Sequence, residues 1–373
     1  MTTHVFIVNE RSFKVHLEYM FVGTGSKNKG VDFNGVPTSQ LHTKSEEGLV
    51  AMMADFSRIR IGDYVLFYVQ ASKGQEGKFY GIYQIDSEPF LEQQGNSQYL
   101  YNILGKNLTF RARIKPYKVY EYGVTEWEAL DEINNINSPN QMLWSLIYRK
   151  LKGNRGNTMI TIYEADRLFG LIRRKNNNNF IIGNSYSYNN DRQIGLNAQP
   201  LLYKGSQTRF NILPRLLHKK NSNRAYEAHL QMFIIQNLCN HNSLKMALKV
   251  NSLEWLGNEV SCGVGMQRID IMFSQNLNDI EREIVPIELK AVPASADNVR
   301  QISRYIDWIE QYYLPNRESV VRPVLICPAS SLSANTKQAF RAFNNRANGR
   351  YLPLEYIEIT DNGNNLIFTN TPY

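Results

Sequence analysis

Residues 284–291 read IVPIELKA, an apolar run that carries Glu288 and Lys290 one residue apart. In a β-strand, side chains alternate between faces with a period of two. Ile287, Leu289 and Ala291 then share one face, and Glu288 and Lys290 share the other. A half-exposed strand would show the same alternation, so the surrounding residues decide what the pair does.

Upstream, QRIDIMF (267–273) alternates in the same way, with Ile269, Ile271 and Phe273 on one face and Arg268, Asp270 and Met272 on the other. The polar loop SQNLNDIE joins the two segments. A turn there makes the strands neighbours and brings Asp270, Glu288 and Lys290 onto one face of a sheet. Two converging carboxylates suit a hard cation that prefers oxygen ligands and retains water, which means Mg2+, with Mn2+ as a substitute. A lysine beside them can orient or deprotonate an attacking water and stabilise charge developing on a phosphate. The competing reading is a solvated face on which Asp270 or Arg268 is simply an ion-pair partner.

The flanking segments read as helices. In SNRAYEAHLQMFIIQNL (222–238), Glu227 shares a face with Leu230, Gln231 and Ile234, where a carboxylate is costly unless something pairs with it. In ADNVRQISRYIDWIEQYYL (296–314), Gln301 shares a face with Tyr305 and Trp308, and Arg300 and Arg304 project at i, i+4 spacing. A strand at 320–329, a helix at 334–346 and a last strand at 352–360 complete an α/β pattern. His229 has no evident partner and reads as a surface residue.

In this order the residues resemble the PD-(D/E)xK nuclease superfamily: a helical Glu, a strand Asp, a Glu-x-Lys strand and a helical Gln. The similarity is to NucS-type endonuclease domains in particular, through GMQRIDIMF, PIELKA and NVRQISRYI, and covers roughly residues 222–330. Ile269 stands where the superfamily's name has Pro. The resemblance implies a restriction-endonuclease-like fold. It assigns Asp270 and Glu288 to the metal, Lys290 to the water, and Gln301 and Glu227 to supporting positions.

The first 165 residues differ in texture. HVFIV (4–8), DYVLFYVQ (63–70), KFYGIYQI (78–85) and NLTFRARI (107–114) read as strands, and SEEGLVAMMADF (45–56) as a helix. HVFIVNERSFKVHLEYMFVG, IRIGDYVLFYVQ and KFYGIYQI resemble EVE or YTH-type domains of the PUA-like group, which hold a base in an aromatic pocket. The resemblance places Asn9, Phe21 and Tyr68 at base-binding positions, with Phe21 standing where the family has Trp. A barrel interior packed with the same aromatics is the alternative.

Between these halves, RRKNNNNFIIGNSYSYNNDRQ (173–193) is rich in Asn and Ser and reads as a linker or long loop. Leu201 to Tyr226 then holds six Lys or Arg residues and no Asp or Glu. The expected organisation is therefore a β-rich, PUA-like domain over 1–165, a linker with a basic segment over 166–215, and a nuclease domain over 216–373. Candidate phosphate contacts are Arg268, Arg300, Arg304, Lys219 and Lys220.

A net charge of +8, from 42 basic and 34 acidic residues among 373, favours a polyanionic partner. No apolar run is long enough for a membrane span or a signal peptide. Three scattered cysteines form no metal motif or disulfide framework, which fits a cytoplasmic setting. The expectation is a Mg2+-dependent endonuclease of the restriction type acting on double-stranded DNA as a homodimer, since one site per chain must cut two strands. A NucS-like repair nuclease and a non-catalytic reader of modified bases are the alternatives.

Overall fold

The computed structural model describes residues 1–25, 43–72, 74–92, 98–147, 156–262, 267–278, 281–314 and 319–373. The chain divides into two compact units. One comprises Met1–Val31 and Asp55–Phe210, the other Asp32–Ala54 and Asn211–Tyr373.

In the first unit, runs of β-branched and aromatic residues form one sheet, because such side chains pack well on a pleated surface. Its strands are β1 (Thr3–Val8), β2 (Phe21–Thr24), β3 (Tyr64–Val69), β4 (Lys78–Ile85), β5 (Phe90–Leu91), β6 (Phe110–Pro116), β7 (Val124–Thr125) and β8 (Asn157–Ile160). They are ordered β2-β6-β4-β3-β1-β8, with β5 on β6 and β7 on β4. Strands β1 and β3 run parallel, and the other pairs run antiparallel. A Cβ on Gly156 would lie 2.7 Å from Thr24 Cβ, so the bare backbone there lets the ends of β8 and β2 approach. Four of these strands, β1, β3, β4 and β6, match the four segments read from the sequence.

Helix α1 (Glu10–Tyr19) is an addition to the expected elements. Asn9 starts it: its side chain accepts from Ser12 N at 2.8 Å, while the Ser12 hydroxyl takes Asn9 N. Helix α2 (Thr43–Ser57) falls where a helix was expected, and its last three residues belong to the first unit. Short helices α3 (Tyr101–Leu104), α4 (Glu126–Asp131) and α5 (Trp144–Ile147) follow.

The stretch expected as a linker is ordered instead. Helix α6 (Ile162–Lys175) buries Ala165, Leu168, Leu171 and Ile172, and a hairpin follows from β9 (Tyr186–Tyr188) and β10 (Ile194–Leu196). Tyr186 packs on Tyr83 and Tyr188 on Tyr80. The asparagines that suggest disorder serve turns, since Asn177 and Asn178 adopt left-handed φ of 50° and 64°, which Asn tolerates.

The second unit holds α7 (Leu213–Asn221), α8 (Glu227–Asn237), α9 (Asn242–Ala247), β11 (Leu253–Ser261), β12 (Arg268–Asn276), β13 (Arg282–Leu289), α10 (Ala296–Trp308), β14 (Ser319–Val321), β15 (Val324–Pro328), α11 (Ala334–Asn345), β16 (Glu355–Asp361) and β17 (Leu366–Asn370). The sheet order is β11-β12-β13-β15-β16-β17, with β14 on β13. Strands β13, β15 and β16 are parallel, and antiparallel strands flank them on both sides. The single strand expected at 320–329 is split into β14 and β15. Pro323 lacks an N–H for a continuous ladder, so the two pieces pair with different parts of β13.

Two buried ion clusters pin this unit. Glu46 of α2 accepts from Arg215 at 2.6 and 2.8 Å, pairs with Lys219 at 3.1 Å, and lies 2.9 Å from His229 Nε2. Arg322 bridges Glu283 and Glu355 and caps Leu248 O. Two expectations are corrected here. His229 is buried rather than on the surface. Lys219 is buried and neutralised by Glu46, so it is not a phosphate contact. Among the described residues no helix is long and apolar enough to cross a membrane.

Candidate active site

Strands β12 and β13 pair antiparallel with Ile271 opposite Ile287, which sets Asp270 opposite Glu288. Leu289 N donates to Asp270 Oδ2 at 2.8 Å, so the aspartate caps the end of the neighbouring strand. Glu288 is fully buried and ion-paired with Lys290, a contact that the i, i+2 spacing on one strand face permits. Helix α8 brings Glu227 to the same end, with Oε1 3.9 Å from Lys290 Nζ and Oε2 3.4 Å from Ala291 N. Asp270, Glu288, Lys290 and Glu227 are therefore gathered at one place.

Gln301 takes part indirectly. Its amide donates to the Tyr305 hydroxyl at 2.6 Å, and that hydroxyl lies 2.6 Å from Glu288 Oε2 and 2.8 Å from Arg268 O. Tyr305 is thus the group that holds one oxygen of Glu288. Gln231 of α8 donates to Asp270 O at 2.9 Å and to Glu259 Oε1 at 3.2 Å. Glu259 sits between the pairs Val260–Ile269 and Asn258–Ile271, opposite Asp270, in left-handed backbone of φ 51°. Such a conformation is uncommon for a non-glycine residue and is concentrated at functional sites. Arg268 pairs with Glu259 at 3.0 Å. Tyr305 and Gln231 lie on the helical faces named from the sequence, four residues beyond Gln301 and Glu227; Glu259 had no such signal.

The electrostatics are those of crowded carboxylates. Burial, then the charge of Glu288, raise the Asp270 carboxyl well above its usual range, against the Leu289 N–H and Lys290. Burial also raises Glu288, opposed by Lys290 and Tyr305. For Lys290, burial works downward, but its bond to Glu288 and the fields of Glu288, Asp270 and Glu227 outweigh it and raise the ammonium. Burial and the two carboxylates push the Tyr305 hydroxyl far up, so it remains a donor. Among the described residues no group of three or more His, Cys, Asp and Glu is gathered for a metal. An all-oxygen pair, Asp270 with Glu288, fits a hard cation that keeps much of its water, and a cation there would relieve the mutual repulsion.

The remaining site candidates fall elsewhere. Asn9 is spent as the α1 cap. Phe21 lies in a cluster with Val15, Leu100, Leu104 and Leu108, against His16 and under the Arg111 guanidinium. Tyr68 lies in a different cluster, on Phe79, and donates to Glu126 at 2.9 Å. These three residues do not meet in one pocket; each serves the fold of the first unit. Phe21→Ala is therefore expected to cost about 3–5 kcal/mol in a urea melt, and Asn9→Ala about 1 kcal/mol. An unchanged melt for Phe21→Ala would restore its base-binding role. Lys220 is paired with Asp361 and Arg300 with Asp297, whereas Arg304 is exposed.

No family model matches the chain, and no curated protein does. Among solved structures, it is similar to a hypothetical protein from Leishmania major, at 12% identity and TM-score 0.30, over 47% of this chain and 96% of that one. It is also similar to human THYN1 in complex with 5-methylcytosine-containing DNA, at 12% identity and TM-score 0.26, over 46% and 97% of the two chains. The DUF55 domain of human thymocyte nuclear protein 1 gives 11% identity and TM-score 0.25, over 45% and 97%.

Proposed function

We propose that the protein is a metal-dependent endonuclease of the restriction type that hydrolyses phosphodiester bonds in double-stranded DNA, with its centre at Asp270, Glu288 and Lys290. The observation that carries this reading is the convergence of those three side chains with Glu227 at the ends of β12, β13 and α8. Asp270 and Glu288 would hold Mg2+. When bound, the ion supplies Lewis-acid stabilisation of phosphate charge and a more acidic water.

The chain's own groups supply the rest. Lys290, kept protonated by Glu288, donates to a phosphate oxygen rather than acting as the base. Glu227, exposed and within 3.9 Å of that lysine, is placed to take the proton of the attacking water. Tyr305 holds Glu288 Oε2 and so fixes the direction of its other oxygen. The first unit, on the EVE/YTH-like pattern of its sequence, is assigned to reading the DNA.

Tyr305→Phe tests the positioning role. Removing the hydroxyl leaves Glu288 with one fewer donor, which raises its carboxyl further. The expected result is roughly a tenfold loss of cleavage rate, with the acid limb of the pH–rate profile moved to higher pH and the melting temperature little changed. An unmoved acid limb would reduce Tyr305 to a packing residue.

A further inference from the structure

Helix α11 presents a face that the site does not use. Residues 319–354 contain five cations, Arg322, Lys337, Arg341, Arg346 and Arg350, and no Asp or Glu. Two are neutralised: Arg322 by Glu283 and Glu355, and Arg350 by Glu310. Lys337, Arg341 and Arg346 are exposed, and among the described residues no carboxylate pairs with them.

The helix buries Thr336, Phe340 and Phe343 on one side. With 3.6 residues per turn, its other side carries Lys337 and Arg341 along one edge and Arg346 at the C-cap, with Asn335, Gln338 and Asn345 between them. Ala334 and Ala342 keep that face low. Cations with interspersed amides and small residues, free of acid, are complementary to a phosphate backbone, where Lys and Arg neutralise phosphates and Asn and Gln add hydrogen bonds. Lys249 and Arg300 of this unit are exposed but held by an acid, and Arg224, Lys245 and Arg304 are exposed on other elements; α11 is set apart by carrying three exposed cations along one helix with no acid among them.

We infer that the exposed face of α11 is a docking surface for the phosphate backbone of duplex DNA, a conclusion that rests on the reading of the substrate above. The test uses the full chain, a fluorescent duplex and EDTA, with the dissociation constant followed across salt concentration. Lys337→Gln/Arg341→Gln/Arg346→Gln is compared with wild type. The control, Lys245→Gln/Lys249→Gln/Arg282→Gln, removes the same charge from other elements of the same unit.

Each lost phosphate contact lowers the slope of log K against log salt by about 0.9. The α11 variant is therefore expected to lose about 2–3 of slope and at least about tenfold in affinity at moderate salt, while the control stays near wild type. Equal losses in both variants, or no loss in the α11 variant, overturn the surface. Asp270→Asn in the same assay separates the two claims. It should bind like wild type, so its failure to cut in Mg2+ bears on the catalytic reading alone.

Discussion

Asp270→Asn is expected to abolish the proposed cleavage and, in metal-free buffer, to stabilise the protein. The first effect follows from losing one of two carboxylates offered to the metal, which is expected to cost about a thousandfold or more in rate. The second follows from linkage. The folded-state carboxyl of Asp270 is raised above its unfolded value by burial and by Glu288. A raised carboxyl costs stability once pH exceeds the unfolded value, about 3.9, and the native state recovers that cost as pH falls through the folded value. Asparagine removes the charge and keeps an oxygen for Leu289 N, so the variant should gain on the order of 1 kcal/mol at neutral pH. Thermal melts at pH 7 and pH 4 check this, and the gain should shrink at the lower pH. Added Mg2+ should raise the melting temperature of wild type and leave Asp270→Asn unmoved. A variant that melts lower than wild type at neutral pH would mean that Asp270 is structural.

Glu46→Gln is the most damaging substitution expected away from the site. The carboxylate is buried among Arg215, Lys219 and His229, and although burial acts to raise it, the bonds from those three groups hold it far below the usual range. Burial, outweighing Glu46, lowers His229, which leaves a neutral ring donating through Nε2. Removing the charge strands two buried cations, a loss of about 3–5 kcal/mol. A depressed carboxyl contributes stability that is present above the unfolded value and lost as pH falls towards the folded one. The gap between wild type and Glu46→Gln should therefore be full at pH 7, still large near the unfolded value of about 4.3, and narrow only as pH falls further towards the folded one. Urea titrations at pH 7 and at about pH 2.5 measure it.

Much of the second unit was legible because its signals are local. The period-two alternation of β12 and β13 placed Asp270, Glu288 and Lys290 on one face, and helical spacing put Tyr305 and Gln231 beside the residues they serve. What was misread depends on distant partners. Lys219 and His229 looked like surface groups because Glu46 lies far off in the sequence, 183 residues from His229. Strand β11 was missed because Gly257, Asn258 and the left-handed Glu259 interrupt its alternation, although that break sets Glu259 beside Arg268. In the first unit, Asn9 and Phe21 carry a resemblance to a base pocket, while physically they cap a helix and fill a core. Their side chains suit both tasks, and only packing tells them apart.

The most direct test is a cleavage assay in Mg2+ on labelled duplex DNA, unmodified and cytosine-methylated, with wild type beside Asp270→Asn. The nuclease centre predicts discrete fragments from wild type on at least one of these DNAs and none from the variant. Cutting by both proteins alike, or by neither in Mg2+ or Mn2+ while both bind the duplex, would contradict it.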